Sequence, residues 1–140
     1  MIVALDHIAI AVPDLAAAIQ RFADDFGLTY EGTEDVEPAK TTTAFFPVPG
    51  TRIELVHPLR GEGAVQGFLD KRGGGLHHVC FRTDDLEADM ERLKAKGYRF
   101  LSEGPQPGAH GTRVAFIHPR SCDGVLIELA EHPAEGHAHP

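Results

Sequence analysis

The feature that most constrains the fold is a duplication. The segment "LDHIAIAVPDLAAAIQRF" (residues 5–22) lies on "LHHVCFRTDDLEADMERL" (residues 76–93) at one constant offset of 71 residues. Leu5 then meets Leu76, His7 meets His78, Asp14 meets Asp85, Leu15 meets Leu86, Ala17 meets Ala88 and Arg21 meets Arg92. Ile8, Ile10 and Ile19 meet Val79, Phe81 and Met90, which are apolar in kind. Further on, "TRIELVHP" (51–58) resembles "VLIELAEHP" (125–133), and both contain Ile-Glu-Leu. The chain therefore reads as two copies of one structural unit, joined near "GEGAVQGFLDKRGGG" (61–75).

Each copy carries the same local signals. Ile8, Ile10 and Val12 alternate with Ala9 and Ala11, the period-2 pattern of a strand. Asp14 and Asp85 are N-cap residues, each opening a helix. The helical spacing puts Leu15, Ile19, Phe22 and Phe26 on one stripe in the first copy, and Leu86, Met90 and Leu93 on one in the second. Gly27 and Gly97 end the two helices. Three strands are expected after each helix: near 29–31, 42–48 and 52–57, then near 99–102, 113–118 and 126–129. The order is βαβββ twice, an α+β arrangement. "EDVEPAK" (34–40) and "EGPQPGAHG" (103–111) read as loops. The expected organisation is one domain over residues 1–133, with modules at about 4–58 and 75–131, and a polar, disordered tail at 134–140.

Composition narrows the function classes. With 140 residues, 42% hydrophobic and 24% charged, the chain is an ordinary single globular domain. No apolar run approaches the roughly 20 residues of a membrane helix, and the opening residues do not read as a secretory leader. A net charge of −8 argues against a nucleic-acid surface. Cys80 and Cys122 form no metal or redox motif and read as reduced structural thiols, so a cytoplasmic protein with neither a membrane nor a nucleic-acid partner is expected.

The repeat also selects the residues that carry chemistry. In a strand successive side chains alternate faces, so His7 shares a face with Ala9 and Ala11, away from the helix-packed Ile8, Ile10 and Val12. In the second copy His78 and Cys80 share the corresponding face, while His77, the partner of Asp6, points the other way. Glu54 lies between Ile53 and Leu55, and Glu128 between Ile127 and Leu129, so each carboxylate faces away from its aliphatic neighbours. A solvated strand face is the plain explanation for any one of these four, but it does not account for their recurrence as a pair per copy. His7, Glu54, His78 and Glu128 together make a candidate divalent-metal site of imidazole and carboxylate donors.

At these residues the chain resembles the vicinal oxygen chelate, or glyoxalase, superfamily, built from paired βαβββ modules around a metal-binding cleft. "LDHIAIAVPDL", "GTRIELVHPL", "GGGLHHVCFRTDDL" and "GAHGTRVAFIHPRSCDGVLIELAE" resemble its methylmalonyl-CoA epimerases in particular. The resemblance implies a divalent ion (Co, Mn, Ni or Zn) held at His7, His78 and Glu128, with Glu54 as the fourth ligand. It further implies an acyl-CoA substrate, proton abstraction at C2 through an enolate with Glu128 as a catalytic base, and a homodimer. Family mechanisms also use a glutamate in the second strand of the first module. Here that segment is "KTTTAFFPVP" (40–49), without a carboxylate, which leaves Glu37 or a water for the second base. Lactoylglutathione lyase on the same fold, and a small-molecule-binding protein on the same scaffold, are the rival readings. No substrate-binding residue is assigned.

Overall fold

The computed structural model describes residues 1–134. All of the expected tail except Ala134 lies outside the described residues. The strands are β1 (Ile2–Ala11), β2 (Thr33–Val36), β3 (Thr41–Val48), β4 (Thr51–Pro58), β5 (Gly75–Thr83), β6 (Gln106–Pro107), β7 (Arg113–Ile117) and β8 (Ile127–Glu131). The helices are α1 (Leu15–Gln20), α2 (Ala64–Arg72) and α3 (Leu86–Ala95). Each repeat is thus β-α-β-β-β, and α2 occupies the junction between them. The chain divides into two compact units, His7–His78 on one hand and Met1–Asp6 with the residues from Val79 onward on the other.

In the unit His7–His78 the strand order is β2–β3–β4–β1. The β1–β4 pair is parallel, with Ile8 beside Ile53 and Ala9 beside Glu54. Asp14 caps α1 by accepting a hydrogen bond from the Ala17 amide at 3.0 Å, a contact worth about 1 kcal/mol. Ile10, Val12, Leu15, Ala18, Ile19, Phe22, Phe46 and Leu55 form the core between α1 and the sheet. The opposite sheet face is covered by α2, whose Val65, Phe68 and Leu69 pack on Ala9, Ala11 and Val56. Two alanines on β1 leave room for that helix; Gly74, which follows it, lies so close that a Cβ there would stand 3.2 Å from the Ala11 carbonyl oxygen.

The second unit repeats the plan. Its order is β6–β7–β8–β5, and β5 pairs with β8 in parallel, with Val79 beside Ile127 and Cys80 beside Glu128. Asp85 caps α3 through the Ala88 amide at 3.1 Å. Leu86, Met90, Ile117 and Leu129 form the core under α3, joined by Phe81, Leu93 and Ile127. Cys80, Val114, Ala130 and Phe116 cluster on the other face. Among the described residues no helix is long and apolar enough to cross a membrane.

Four local expectations are corrected. The strand expected near 29–31 begins at Thr33, although Glu31 and Gly32 already exchange backbone hydrogen bonds with Phe45. Its polar residues disguise it because β2 pairs only with β3. "EDVEPAK" is therefore half strand, followed by a short 3-10 turn at Glu37–Ala39. The strand expected near 99–102 is a single bridge between Phe100 and Ile117. The regular strand there is only Gln106–Pro107, beside prolines that donate no backbone hydrogen bond. Phe26 leaves the apolar stripe because Arg21–Asp25 widens into a π turn, closed by the Phe26 amide on the Arg21 carbonyl. The extra residue rotates Phe26 outward, to 59% exposure.

One acid sits in the core of the second unit. Asp89 on α3 is 1% exposed and accepts hydrogen bonds from the Thr83 hydroxyl and from Arg92 Nη2. Burial alone raises its carboxyl; the bonds from Thr83 and Arg92 and the Met1 ammonium 3.4 Å away together outweigh burial and hold it below the usual value. A lowered folded value contributes stability above the unfolded carboxylate value, about 3.9, and that contribution is lost as the pH falls through the folded one. Asp89→Asn is expected to cost about 1–3 kcal/mol at neutral pH, and the difference from wild type should narrow in acid. Urea unfolding at pH 7 and pH 3 checks both statements.

Candidate functional site

Three of the four expected residues meet within the unit His7–His78. His7 on β1, Glu54 on β4 and His78 on β5 are 5%, 5% and 8% exposed. The β1–β4 register explains the first two: His7 shares a face with Ala9, and Ala9 is beside Glu54. Ile53 and Leu55 pack under α1, so Glu54 is turned to the opposite side with His7. The Nε2 atoms of His7 and His78 stand 3.2 Å apart, and the rings meet edge to face with centroids at 5.3 Å.

The remaining ring nitrogens are also engaged. His7 Nδ1 lies 3.2 Å from Glu54 Oε2. The same oxygen accepts from Arg52 Nε at 2.8 Å and Nη2 at 2.6 Å. Arg52 in turn lies over the Phe45 ring, 5.5 Å from its centroid. Sequence reasoning missed Arg52, though its place two residues before Glu54 puts it on the same strand face. His78 Nδ1 meets His77 Nδ1 at 2.8 Å. This corrects the expectation that His77 points away from His78. His77 is half-buried, and its ring packs edge-on against Phe68 of α2 at 5.0 Å. Strand alternation alone misplaces it because the helix that receives its ring was not legible in the linker.

Glu128 belongs to the other unit. It is 7% exposed, on β8 beside Cys80 of β5. Ile127 and Leu129 pack under α3, so Glu128 faces the side of Cys80 and Ala130. The relation of Cys80 to Glu128 repeats that of Ala9 to Glu54, as the duplication requires.

Glu37, Arg113, His57, His118 and His132 have partners of their own. Glu37 sits at an exposed turn and is bonded to Arg60 at 2.6 Å. Arg113 is committed to Glu87 and Glu131, with the Glu87 carboxyl held below its usual value by the guanidinium. His57 Nδ1 meets the Val12 carbonyl at 2.9 Å, and His118 caps a 3-10 turn through the Arg120 amide. His132 is half-buried and bonded to Asp6 at 2.5 Å. The "GAHG" segment is a turn with His110 at φ 58.

Two imidazoles whose Nε2 atoms converge are donors for a divalent transition ion, and the Glu54 carboxylate backs one of them at Nδ1. The fit is good on this side: Glu54 or His77 occupies each Nδ1, so the nitrogen that remains on each ring is the one facing the other ring.

Comparison with known proteins agrees. A family described as the Glyoxalase/Bleomycin resistance protein/Dioxygenase superfamily matches residues 6–116. An ethylmalonyl-CoA/methylmalonyl-CoA epimerase of Cereibacter sphaeroides is 44% identical, over 94% of this chain and 99% of its own length. The crystal structure of methylmalonyl-CoA epimerase from Mycobacterium tuberculosis superposes with a TM-score of 0.91 at 37% identity, over 98% of this chain and 93% of that one. A Streptomyces coelicolor methylmalonyl-CoA epimerase variant, solved with 2-nitronate-propionyl-CoA, gives 0.92 at 34% identity over 96% and 97%. The α+β, doubled βαβββ expectation is thus met by fold as well as by sequence, and the chain belongs to the glyoxalase/bleomycin resistance protein/dioxygenase superfamily.

Proposed function

We propose that this chain is an epimerase that interconverts (R)- and (S)-methylmalonyl-CoA with the help of one divalent ion. The observation that carries the reading is the buried pair of facing imidazoles, His7 and His78, beside Glu54, in a chain similar to methylmalonyl-CoA epimerases along nearly its full length. His7, His78 and Glu128 are the proposed ligands, with Glu54 as the fourth once it turns from His7 Nδ1 toward the ion, for Co, Mn, Ni or Zn. Cys80 and Cys122, neither of them in a disulfide, suit a cytoplasmic enzyme. A homodimer belongs to the same reading; Ile2, Val3 and Leu5 at the start of β1 are the exposed apolar residues it would cover.

The substrate has one acidic C–H, between a thioester carbonyl and a carboxylate. A bound divalent ion supplies Lewis-acid stabilisation of the negative charge that develops on the thioester oxygen. Glu128 removes the C2 proton: the C–H bond breaks, the proton passes to the carboxylate, and the electron pair delocalises into the enolate. Glu54 does not take this part, because its Oε2 is already held by Arg52 and His7. The residue two before Glu128 is Leu126, so the second repeat supplies no guanidinium there. β3 carries no carboxylate, so water returns a proton to the opposite face of the enolate, and the hydroxide left is neutralised through solvent by the proton that Glu128 took up.

In deuterated water, methylmalonyl-CoA is expected to gain deuterium at C2 as the centre inverts. Glu128→Gln should lower both exchange and inversion, by about 10²–10⁴-fold if its role is the base. Glu54→Gln should be much milder, since an amide oxygen still coordinates and still accepts a hydrogen bond. Mass spectrometry of the recovered ester, with chiral analysis, reads both. Equal losses in two variants that keep their metal would remove the special role of Glu128. Turnover of a hemithioacetal without exchange of methylmalonyl-CoA would give the lyase its place.

The ion itself is open to measurement. Purified protein should hold about one divalent ion per chain, and chelation should abolish inversion. Co, Mn or Ni should restore it more readily than Mg, because imidazole donors are softer than an all-oxygen set. Elemental analysis before and after chelation, followed by reconstitution, provides the check; full inversion by chelated protein would contradict it.

A further inference from the structure

We infer that His77 is a positioning residue: its Nδ1 holds His78 by Nδ1 and so fixes which nitrogen His78 presents to a metal. The inference rests on the reading of His78 as a ligand. His78 is buried, and its two nitrogens have separate neighbours, with Nε2 toward His7 at 3.2 Å and Nδ1 toward His77 at 2.8 Å. A neutral imidazole that offers the Nε2 lone pair carries its proton on Nδ1. That N–H donates to His77 Nδ1, which places the His77 proton on Nε2. A ligand imidazole whose second nitrogen is hydrogen-bonded has its tautomer and ring direction set before the ion arrives.

His77 is itself held. Its ring is edge-on to Phe68, 5.0 Å between centroids at 71°, and Phe68 is anchored by α2, which packs on Ala9, Ala11 and Val56 through Val65, Phe68 and Leu69. The helix at the repeat junction thus reaches the site through two rings. His7 receives the same support by different means, from Glu54 with Arg52 behind it. The two repeats therefore present the same nitrogen from unlike supports, an anion with its guanidinium in one and a neutral imidazole in the other.

The side-chain rules supply the variants. The Asn side-chain oxygen falls near the place of a histidine Nδ1 and accepts a hydrogen bond, whereas that of Gln falls one bond further out. Leu removes the acceptor and keeps the apolar contact with Phe68. In metal-free protein labelled with 15N at histidine, two-bond proton–nitrogen correlations report which nitrogen of His78 carries the proton. Wild type and His77→Asn should show His78 protonated at Nδ1; His77→Leu and His77→Gln should lose that preference. Competition of the same proteins with a chromophoric chelator for Co²⁺ should show affinity lowered about 10–100-fold in His77→Leu, with His77→Asn recovering most of it. An unchanged His78 tautomer and unchanged Co²⁺ affinity in His77→Leu would overturn the inference, as would a lowered unfolding temperature with both readouts unmoved. Should His77→Leu not fold, the contrast between Asn and Gln decides alone. Should wild type bind no Co²⁺ while the His78 tautomer still follows residue 77, the metal reading fails and the positioning of His78 stands.

Discussion

Two Nε2 atoms 3.2 Å apart in a buried setting are the constraint on which the rest of the site depends. Two N–H groups pointed at each other repel, and so do two lone pairs; only a proton on one ring or a cation between them makes the approach favourable. Buried polar groups also lose their hydration and must recover it from partners. The chain answers at the other nitrogens, with Glu54 against His7 and His77 against His78. Once both Nδ1 atoms are engaged, each ring keeps one nitrogen for the centre.

The cost of this polar face is met on the other side of the strands. In each unit the strand residues that alternate with the site residues are large and apolar and lie under a helix: Ile10, Ile53 and Leu55 under α1, Phe81, Ile127 and Leu129 under α3. Leu55 and Leu129, fully buried, contribute about 1.5–3 kcal/mol each, whereas the site face carries Ala9, Ala11, Cys80 and Ala130. Small residues there do two things. They let α2 approach the sheet closely in the first unit, and they leave the space beside Glu54 and Glu128 uncrowded by large β1 and β5 side chains.

Much of this was legible because strand alternation and helix capping are local rules. The duplicated His7/His78 and Asp14/Asp85 positions, and the two Ile-Glu-Leu strands, give the βαβββ order and the facing of each glutamate directly, and the registers Ala9–Glu54 and Cys80–Glu128 bear this out. What was not legible depends on tertiary partners. β2 hides in a polar segment because only one side of it pairs. Phe26 leaves its stripe because one turn widens, which no 3.6-residue period announces. Helix α2 has Gly67 in its middle and a weak apolar pattern, so it read as linker. Missing α2 is what misplaced His77, since Phe68 is the surface against which that ring lies.

Duplication sets matching positions, and the residues around them then diverge. Arg52 precedes Glu54 by two, and Leu126 precedes Glu128 by two. The guanidinium makes two bonds to one Glu54 oxygen, which also stands against His7 Nδ1. The second repeat has an aliphatic residue in its place. The residues before the two histidines diverge in the same manner. His77 turns to its own neighbour, while Asp6, its counterpart, is bonded to His132 at the end of β8. A strictly symmetric pair of modules would give two equivalent carboxylates and no reason for either to act as the base. The differences at 52 against 126, and at 6 against 77, break that equivalence, and the proposal that Glu128 is the base builds on them.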